Sequence, residues 1–134
     1  MKLIPLNKEA YSESSKRSVG FEFLGNFYED IRFQCKKCTK STIFTAEEQK
    51  ETYEVKKKYM WQQRILCNRC HDEMVSIRSE LRDIEKYYCS NKEQSLQDRE
   101  FLLKWLRLLN EYPTYWKKGN PSRVTFVKKA LGLA

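Results

Sequence analysis

The clearest apolar pattern lies in the second half of the chain. Apolar residues recur there at alternating intervals of three and four positions, which predicts a helix from about Cys70 to Tyr88. The recurring residues are Met74, Ile77, Leu81, Ile84 and Tyr88. Because they form a narrow seam, we expect this helix to pack against another helix.

Two further helices are predicted beyond this seam. One begins at Ser95, has Asp98 in its first turn and is ended by Pro113. It is apolar on most sides, which is typical of a central helix or of an interface. The last begins after Asn120, with Pro121 at its first helical position. The pattern therefore predicts a three-helix C-terminal part, residues 74–134.

The first half of the chain shows shorter apolar runs. Phe21–Leu24 and Ile31–Gln34 resemble strands separated by a turn, and residues 42–44 form a third short run. Thr45 and Glu48 then have the spacing of a capping box, which predicts a helix over residues 46–58. Residues 1–20 are polar, and we expect them to be loosely held. The fold class predicted is α+β, with a short antiparallel sheet in residues 21–73 and the helical part packing on it.

Composition and charge narrow the function classes. Of the 134 residues, 33% are charged and 40% are hydrophobic, and the net charge is +8. No apolar run is long enough for a membrane span or for a secretory signal, so we expect a cytoplasmic protein without a membrane partner. Residues 31–70 carry ten basic and four acidic groups, and residues 112–134 carry five basic and no acidic groups. Such an excess favours nucleic acid or an acidic protein as partner.

Four cysteines form two Cys-x-x-Cys pairs within the basic segment. These are Cys35 with Cys38 and Cys67 with Cys70. Each pair can turn both sulfur atoms toward one ion, and two such pairs supply the four-sulfur shell of a structural Zn²⁺ ion. Because four thiolates leave no position for water, this site argues against zinc hydrolysis.

The residues around the two pairs resemble a known family. The matching positions are Cys35, Cys38, the hexapeptide Phe44–Gln49 (Phe-Thr-Ala-Glu-Glu-Gln), Tyr53, Cys67 and Cys70. Over residues 28–73 this pattern is similar to the bacterial "probable zinc-ribbon" domain family. The resemblance implies an N-terminal zinc ribbon whose ligands are the four cysteines. Thr39 and Asn68 replace the family's usual Gly and Pro, so we expect another turn geometry at Thr39.

Other readings of the cysteines are weaker. Cys67–His71 also fits the Cys-x-x-Cys-His pattern of covalent haem, with His71 as one axial ligand and Met60 or Met74 opposite. That attachment requires export and leaves Cys35 and Cys38 unexplained. A redox dithiol lacks the surrounding βαβ pattern, and the expected compartment disfavours disulfides. His71 as a replacement zinc ligand stays open, and we expect Cys89 to be a buried thiol.

Catalytic motifs are absent from the sequence. It contains no Gly-rich phosphate loop and no Gly-x-Ser-x-Gly elbow, and His71 is its one histidine. Asp72 and Glu73 could act as an acid/base pair, but carboxylates are favoured at a helix N-terminus in any case. We therefore expect a non-enzymatic binding protein without a small-molecule substrate.

Two kinds of partner remain. Basic residues near the cysteines, with Phe33, Tyr59 and Trp61 among them, suit a phosphate backbone and stacked bases. The candidate nucleic-acid-binding residues are Lys36, Lys37, Lys40, Arg64, Arg69 and Trp61. The alternative is a protein-interaction, inhibitor or adaptor module that uses the apolar helical surface and the aromatic residues Tyr112, Tyr115 and Trp116. Ordinary packing of the same aromatic side chains competes with both readings. The sequence does not give the oligomeric state.

Overall fold

The computed structural model describes residues 3–133, which fold as two compact units. The first unit consists of the residues up to Cys35 together with Thr39–Cys67, and the second consists of Lys36–Cys38 together with the residues from Asn68 onward. None of the described helices is both long and apolar enough to cross a membrane. The chain is α+β, as its sequence predicts.

The first unit contains two small antiparallel sheets and several short helices. β1 (Ile4–Pro5) pairs with β2 (Phe27–Tyr28), and β3 (Ile31–Gln34) pairs with β4 (Ser41–Phe44). The helical segments are the 3₁₀ helices Lys8–Ala10 and Phe21–Phe23, α1 (Glu13–Lys16), α2 (Ala46–Lys50) and a π-helical turn at Glu51–Val55. Strands this short are not stable alone, so the unit depends on the contacts between these elements.

The start of α2 follows the predicted capping box. Thr45 Oγ1 accepts from the Glu48 amide at 3.1 Å, and Glu48 Oε1 accepts from the Thr45 amide at 3.0 Å. Asp30 Oδ1 accepts from a third amide, that of Ala46, at 2.8 Å. Three of the amides that a helix start leaves unpaired thus have side-chain acceptors. This fixes α2 directly after β4.

A buried polar network lies within the apolar core of the first unit. Tyr11, Tyr28, Ala46 and Met60 form that core. The Tyr28 hydroxyl donates to Glu54 Oε2 at 2.7 Å and contacts the Tyr11 hydroxyl at 2.8 Å. Glu54 also accepts from Lys50 Nζ at 2.9 Å and from the Asn7 amide at 3.2 Å. The network joins the N-terminal residues to the helix of residues 46–55.

The second unit is helical. Its α-helices are α3 (Asn68–Ser90), α4 (Lys92–Gln97), α5 (Arg99–Glu111) and α6 (Pro121–Ala130), with a 3₁₀ helix at Tyr112–Tyr115 between the last two. Asp98 caps α5 by accepting from the Phe101 amide at 3.1 Å. Asn120 caps α6 by accepting from the Arg123 amide at 3.1 Å. The helical C-terminal part is confirmed, with one α-helix more than predicted in the described residues.

Trp105 lies at the centre of the second unit and has no exposed surface. Its ring centroid is 5.3 Å from that of Tyr88 and 5.7 Å from that of Phe101. The Arg123 guanidinium lies 5.4 Å from the Trp105 ring centroid. Other buried side chains complete the core, namely Met74, Ile77, Ile84, Leu102, Leu108, Leu109, Tyr115, Val127 and Leu131. The apolar surface of α5 is therefore used mainly inside its own unit.

Several local predictions need correction. Phe21–Leu24 is not a strand, because Phe21–Phe23 forms a 3₁₀ helix after Gly20, whose φ is +92°. The helix that starts at Ala46 ends at Val55 rather than at Lys58, because Lys57 is left-handed, with φ +55°. Ser95 does not start a helix. It is buried inside α4, and the next helix begins after Asp98.

The N-terminal residues contribute to the interior of the first unit. The sequence favours loose packing for residues 1–20, of which residues 1 and 2 lie outside the described chain. Tyr11 and Ser15 are buried, and Ser15 Oγ accepts from the Met60 amide at 2.9 Å. The Lys57 ammonium group donates to the carbonyl oxygen of Ala10. These contacts tie the segment to the loop that follows the π-helical turn.

We predict that Glu54→Gln lowers the free energy of unfolding at pH 7 by about 1–3 kcal/mol, because charge-assisted hydrogen bonds are lost. Burial by itself raises the pKa of Glu54. The hydrogen bonds from Tyr28, Lys50 and Asn7 have the larger, opposite effect, so the pKa of Glu54 lies below its usual value of 4.5. A lowered pKa stabilises the fold above pH 4.5, and this contribution is lost as the pH falls through the folded-state pKa.

Urea unfolding followed by circular dichroism at pH 7 and at pH 4 measures this effect. The difference between wild type and Glu54→Gln should shrink in acid, which separates the Glu54 contribution from any other acid-sensitive group. A difference that stays constant with pH would contradict the assignment.

We predict that Trp105→Ala lowers the free energy of unfolding by about 3–5 kcal/mol, as truncation of a fully buried aromatic side chain does. Leu103→Ala is the matched control, because Leu103 lies on the same helix and is exposed. Urea melts, together with light scattering, distinguish the outcomes. A Trp105→Ala variant that melts like wild type, or that changes only from dimer to monomer, would contradict the core position.

Candidate metal centre and the residues around it

The first Cys-x-x-Cys pair lies on the turn between β3 and β4. The Cys35 amide donates to the Lys40 carbonyl oxygen, and the Thr39 amide donates to the Cys35 carbonyl oxygen, each at 2.9 Å. Thr39 has φ +64°, the left-handed conformation that glycine adopts most easily. The turn therefore keeps the geometry of a glycine-containing knuckle, and the expectation of another geometry is wrong. Gln34 Nε2 helps by donating to the Thr39 carbonyl oxygen at 2.9 Å.

The second pair lies at the start of α3. Cys67 directly precedes this 23-residue helix, and Cys70 lies in its first turn. Amide groups at a helix start point outward and carry partial positive charge, which favours the thiolate form of a cysteine there. Cys67 and Cys70 are buried, as is Cys35, while Cys38 is half-buried.

The four sulfur atoms form one cluster. The sulfurs of Cys35, Cys38, Cys67 and Cys70 all lie within 4.8 Å of one another. Sulfur ligands at the usual zinc distance, arranged as a tetrahedron, are about 3.8 Å apart, so a Zn²⁺ ion fits with little movement. Four clustered cysteines, three of them buried, are the donor set of a structural zinc site. We therefore assign one structural zinc ion to this cluster.

The competing readings of the cysteines do not match this geometry. A covalent haem would use Cys67 and Cys70 alone, whereas both belong to a cluster that includes Cys35 and Cys38. Cys89 is not the buried thiol expected from the sequence. It is exposed near the end of α3 and lies outside the cluster.

Arg69 is the basic residue most directly linked to the cluster. A hydrogen bond to the Cys70 side chain, with the negative charges of Glu73, Cys70 and Cys38, raises the pKa of the Arg69 guanidinium. Arg69 Nε is 3.8 Å from Glu73 Oε1. Because four thiolates exceed the charge of Zn²⁺ by two, a nearby guanidinium offsets part of the excess.

Two lysines of the first knuckle lie over aromatic rings of the second unit. Lys36 Nζ is 4.9 Å from the Trp116 ring centroid, and Lys37 Nζ is 4.9 Å from the Tyr115 ring centroid. Trp116 Nε1 donates to the Lys36 carbonyl oxygen at 3.0 Å. Together with Arg69, these residues form what we term the knuckle platform: Lys36, Lys37, Arg69, Tyr115 and Trp116.

The other candidate residues belong to the first unit. Arg64 is half-buried, with Nη1 2.9 Å from Glu48 Oε2, so its charge is already paired. Trp61 is 53% exposed, but its Nε1 donates to Ser18 Oγ at 2.7 Å and to the Val19 carbonyl oxygen at 3.2 Å. Lys40 is exposed. The exposed aromatic residue beside the knuckle lysines is therefore Trp116, which the sequence analysis assigned to a protein interface.

We predict that the protein binds one zinc ion per chain and that Cys70→Ser abolishes binding and unfolds the metal domain. Structural zinc contributes on the order of 10–16 kcal/mol in isolated fingers, which a segment this polar cannot replace. Cys89→Ser is the matched control, because Cys89 is exposed and lies outside the cluster. Elemental analysis and circular dichroism measure both properties. Purified wild-type protein that contains no zinc would contradict the site, as would an equal loss of zinc in the Cys70→Ser and Cys89→Ser variants.

Comparison with known proteins supports this geometry. Residues 29–79 match the family described as "Probable treble clef domain". No curated protein and no solved structure matches the chain. The match refines the zinc-ribbon resemblance, because Cys70 lies on the first turn of a long helix rather than on a second hairpin. Residues 29–79 thus form a zinc domain of the treble clef type, in which Cys35, Cys38, Cys67 and Cys70 hold one structural ion.

Proposed function

We propose that the protein is a non-enzymatic, zinc-stabilised module that binds single-stranded nucleic acid through the knuckle platform. The observation that carries this proposal is that Lys36 lies over the exposed ring of Trp116, with Lys37 next to it over the buried ring of Tyr115. Basic groups beside aromatic side chains suit a strand whose phosphates need cations and whose bases stack on rings.

Trp116 provides the stacking surface. Its ring is 61% exposed, and the hydrogen bond from Nε1 to the Lys36 carbonyl oxygen fixes its orientation. A ring held in place loses little conformational freedom when a base stacks on it, which favours binding. Lys36 lies over the same ring, so a phosphate next to a stacked base would meet an ammonium group at once.

The ring of Tyr115 lies under the ammonium group of Lys37. Burial first, and then its hydrogen bond to Glu73, raise the pKa of Tyr115 to about 12. The hydroxyl therefore stays protonated at neutral pH and donates to Glu73 Oε2 at 3.1 Å. Because Glu73 also lies beside Arg69, its carboxylate has a structural role. This supports a non-enzymatic reading over one in which Asp72 and Glu73 act as an acid/base pair.

The alternative partner is a protein. Most of the apolar residues on α5 are buried inside the second unit, which reduces the surface that such a partner could use. Tyr87, Leu96 and Leu103 remain exposed, as does Trp116. A protein-interaction module that uses these side chains is the second candidate function, and the binding experiment distinguishes it from nucleic-acid binding.

We predict salt-sensitive binding to a fluorescein-labelled oligo(U) strand, measured by fluorescence anisotropy. If about four phosphates are neutralised, the slope of log affinity against log salt is near −3 for a single strand. The double substitution Lys36→Glu and Lys37→Glu should flatten the slope by about one to two. The matched control reverses Lys128 and Lys129, two adjacent exposed lysines in the last turn of α6.

The tryptophans provide an independent comparison. Trp116→Ala should weaken binding by about 1–3 kcal/mol. Trp61→Ala should instead lower the melting temperature, because Trp61 holds residues 18–19 by hydrogen bonds. No binding even at low salt, with zinc bound and the fold intact, would eliminate nucleic acid and leave the protein partner. Equal effects of the two lysine pairs would show charge attraction without a platform.

A further inference from the structure

A cleft in the second unit lies apart from the knuckle platform. Its volume is about 280 Å³, and it lies beside α3, α5 and the loop that precedes α6. Its apolar walls come from Leu81, Trp105, Leu109 and Tyr112. None of the five platform residues lines it. A space of this size can hold a single flat ring with a small substituent.

The rim of the cleft is positively charged. Arg78, Arg82 and Lys118 line it, and among the described residues no ion pair joins any of the three to a carboxylate. Glu85 is the acidic lining residue, and Arg123 holds it through two contacts, Nε to Oε1 at 2.6 Å and Nη2 to Oε2 at 3.0 Å. The charge left facing the cleft is therefore that of three cations.

Trp105, one of the residues that line the cleft, carries a donor without an acceptor. Trp105 is fully buried, and its Nε1 has no hydrogen-bond partner within residues 3–133. The Arg123 group over the same ring carries only donors, so it cannot accept this hydrogen. Buried side-chain donors are nearly always paired in folded proteins. The nitrogen itself is buried, so its indole N–H signal reports changes at the wall of the cleft rather than direct contact with a ligand.

We propose that this cleft binds a small aromatic anion, a carboxylate or a phosphate monoester carried by a flat apolar ring. The ring packs against Leu81 and Tyr112, and the anionic group lies near Arg78, Arg82 and Lys118. The apolar walls of the cleft thus require a ring, and its cationic rim requires a negative charge on the same ligand.

The test uses the full-length, zinc-loaded protein labelled with ¹⁵N and phenyl phosphate or benzoate as the probe. The indole N–H signal of Trp105, assigned with Trp105→Phe, should move and saturate with a Kd of about 1 mM or tighter. Benzyl alcohol, which keeps the ring and lacks the charge, should bind at least about tenfold more weakly. Phenyl phosphate against benzoate tells which anion the rim prefers.

Variants decide whether the rim residues are responsible. The double substitution Arg78→Gln and Arg82→Gln should weaken probe binding at least about tenfold while the melting temperature stays unchanged, because both side chains are exposed. Arg107→Gln is the control, since Arg107 is exposed on α5 and does not line the cleft. No saturable shift, an equal response to inorganic phosphate alone, or equal effects of these variants would overturn the proposal.

Discussion

The four-thiolate centre is the constraint on which the treble clef domain depends. Its strands β3 and β4 have four residues each, and α2 has five. Elements of this length are not stable in water by themselves. Two paired strands are only marginally stable, and nucleation of a short helix costs free energy. The free energy of structural zinc binding, on the order of 10–16 kcal/mol in isolated fingers, is comparable to the whole stability of an ordinary domain. The metal can therefore fix a knuckle and a helix start that the local sequence alone would leave mobile.

The sequence correctly predicted the elements that depend on interactions between residues close together in the chain. The Thr45 and Glu48 capping box, the Asn120 cap before Pro121 and the strand Ile31–Gln34 all form as expected. Each of these depends on hydrogen bonds or side-chain alternation within a few positions of the chain. The two cysteine pairs belong to the same class, because the spacing within a pair is itself the geometry of a knuckle.

The features that the sequence did not predict depend on contacts between residues far apart in the chain. The sequence suggests that Arg64 is an available cation, but in the structure it is paired with Glu48. The sequence also suggests that Trp61 stacks on a base, but its N–H donates to Ser18. Phe21 has the composition of a strand, but its ring packs edge-on against Tyr11, 6.0 Å away, in a 3₁₀ helix. In each case the deciding partner lies at least ten residues away, and hydrophobic periodicity carries no information about it.

Net charge is therefore a poor guide to the cations that a partner meets. The chain carries +8, yet Lys50 is paired with Glu54, Arg64 with Glu48 and Arg123 with Glu85. Each pair cancels one positive and one negative charge, so the net charge stays at +8 while one cation fewer is available to a partner. Lys36 and Lys37 differ, because each lies over an aromatic ring and not beside a carboxylate in the ion pairs of residues 3–133. A ring attracts an ammonium group without neutralising it, so the full charge remains available to a phosphate. What matters for binding is thus which cations the fold leaves unneutralised, and the knuckle lysines belong to that group.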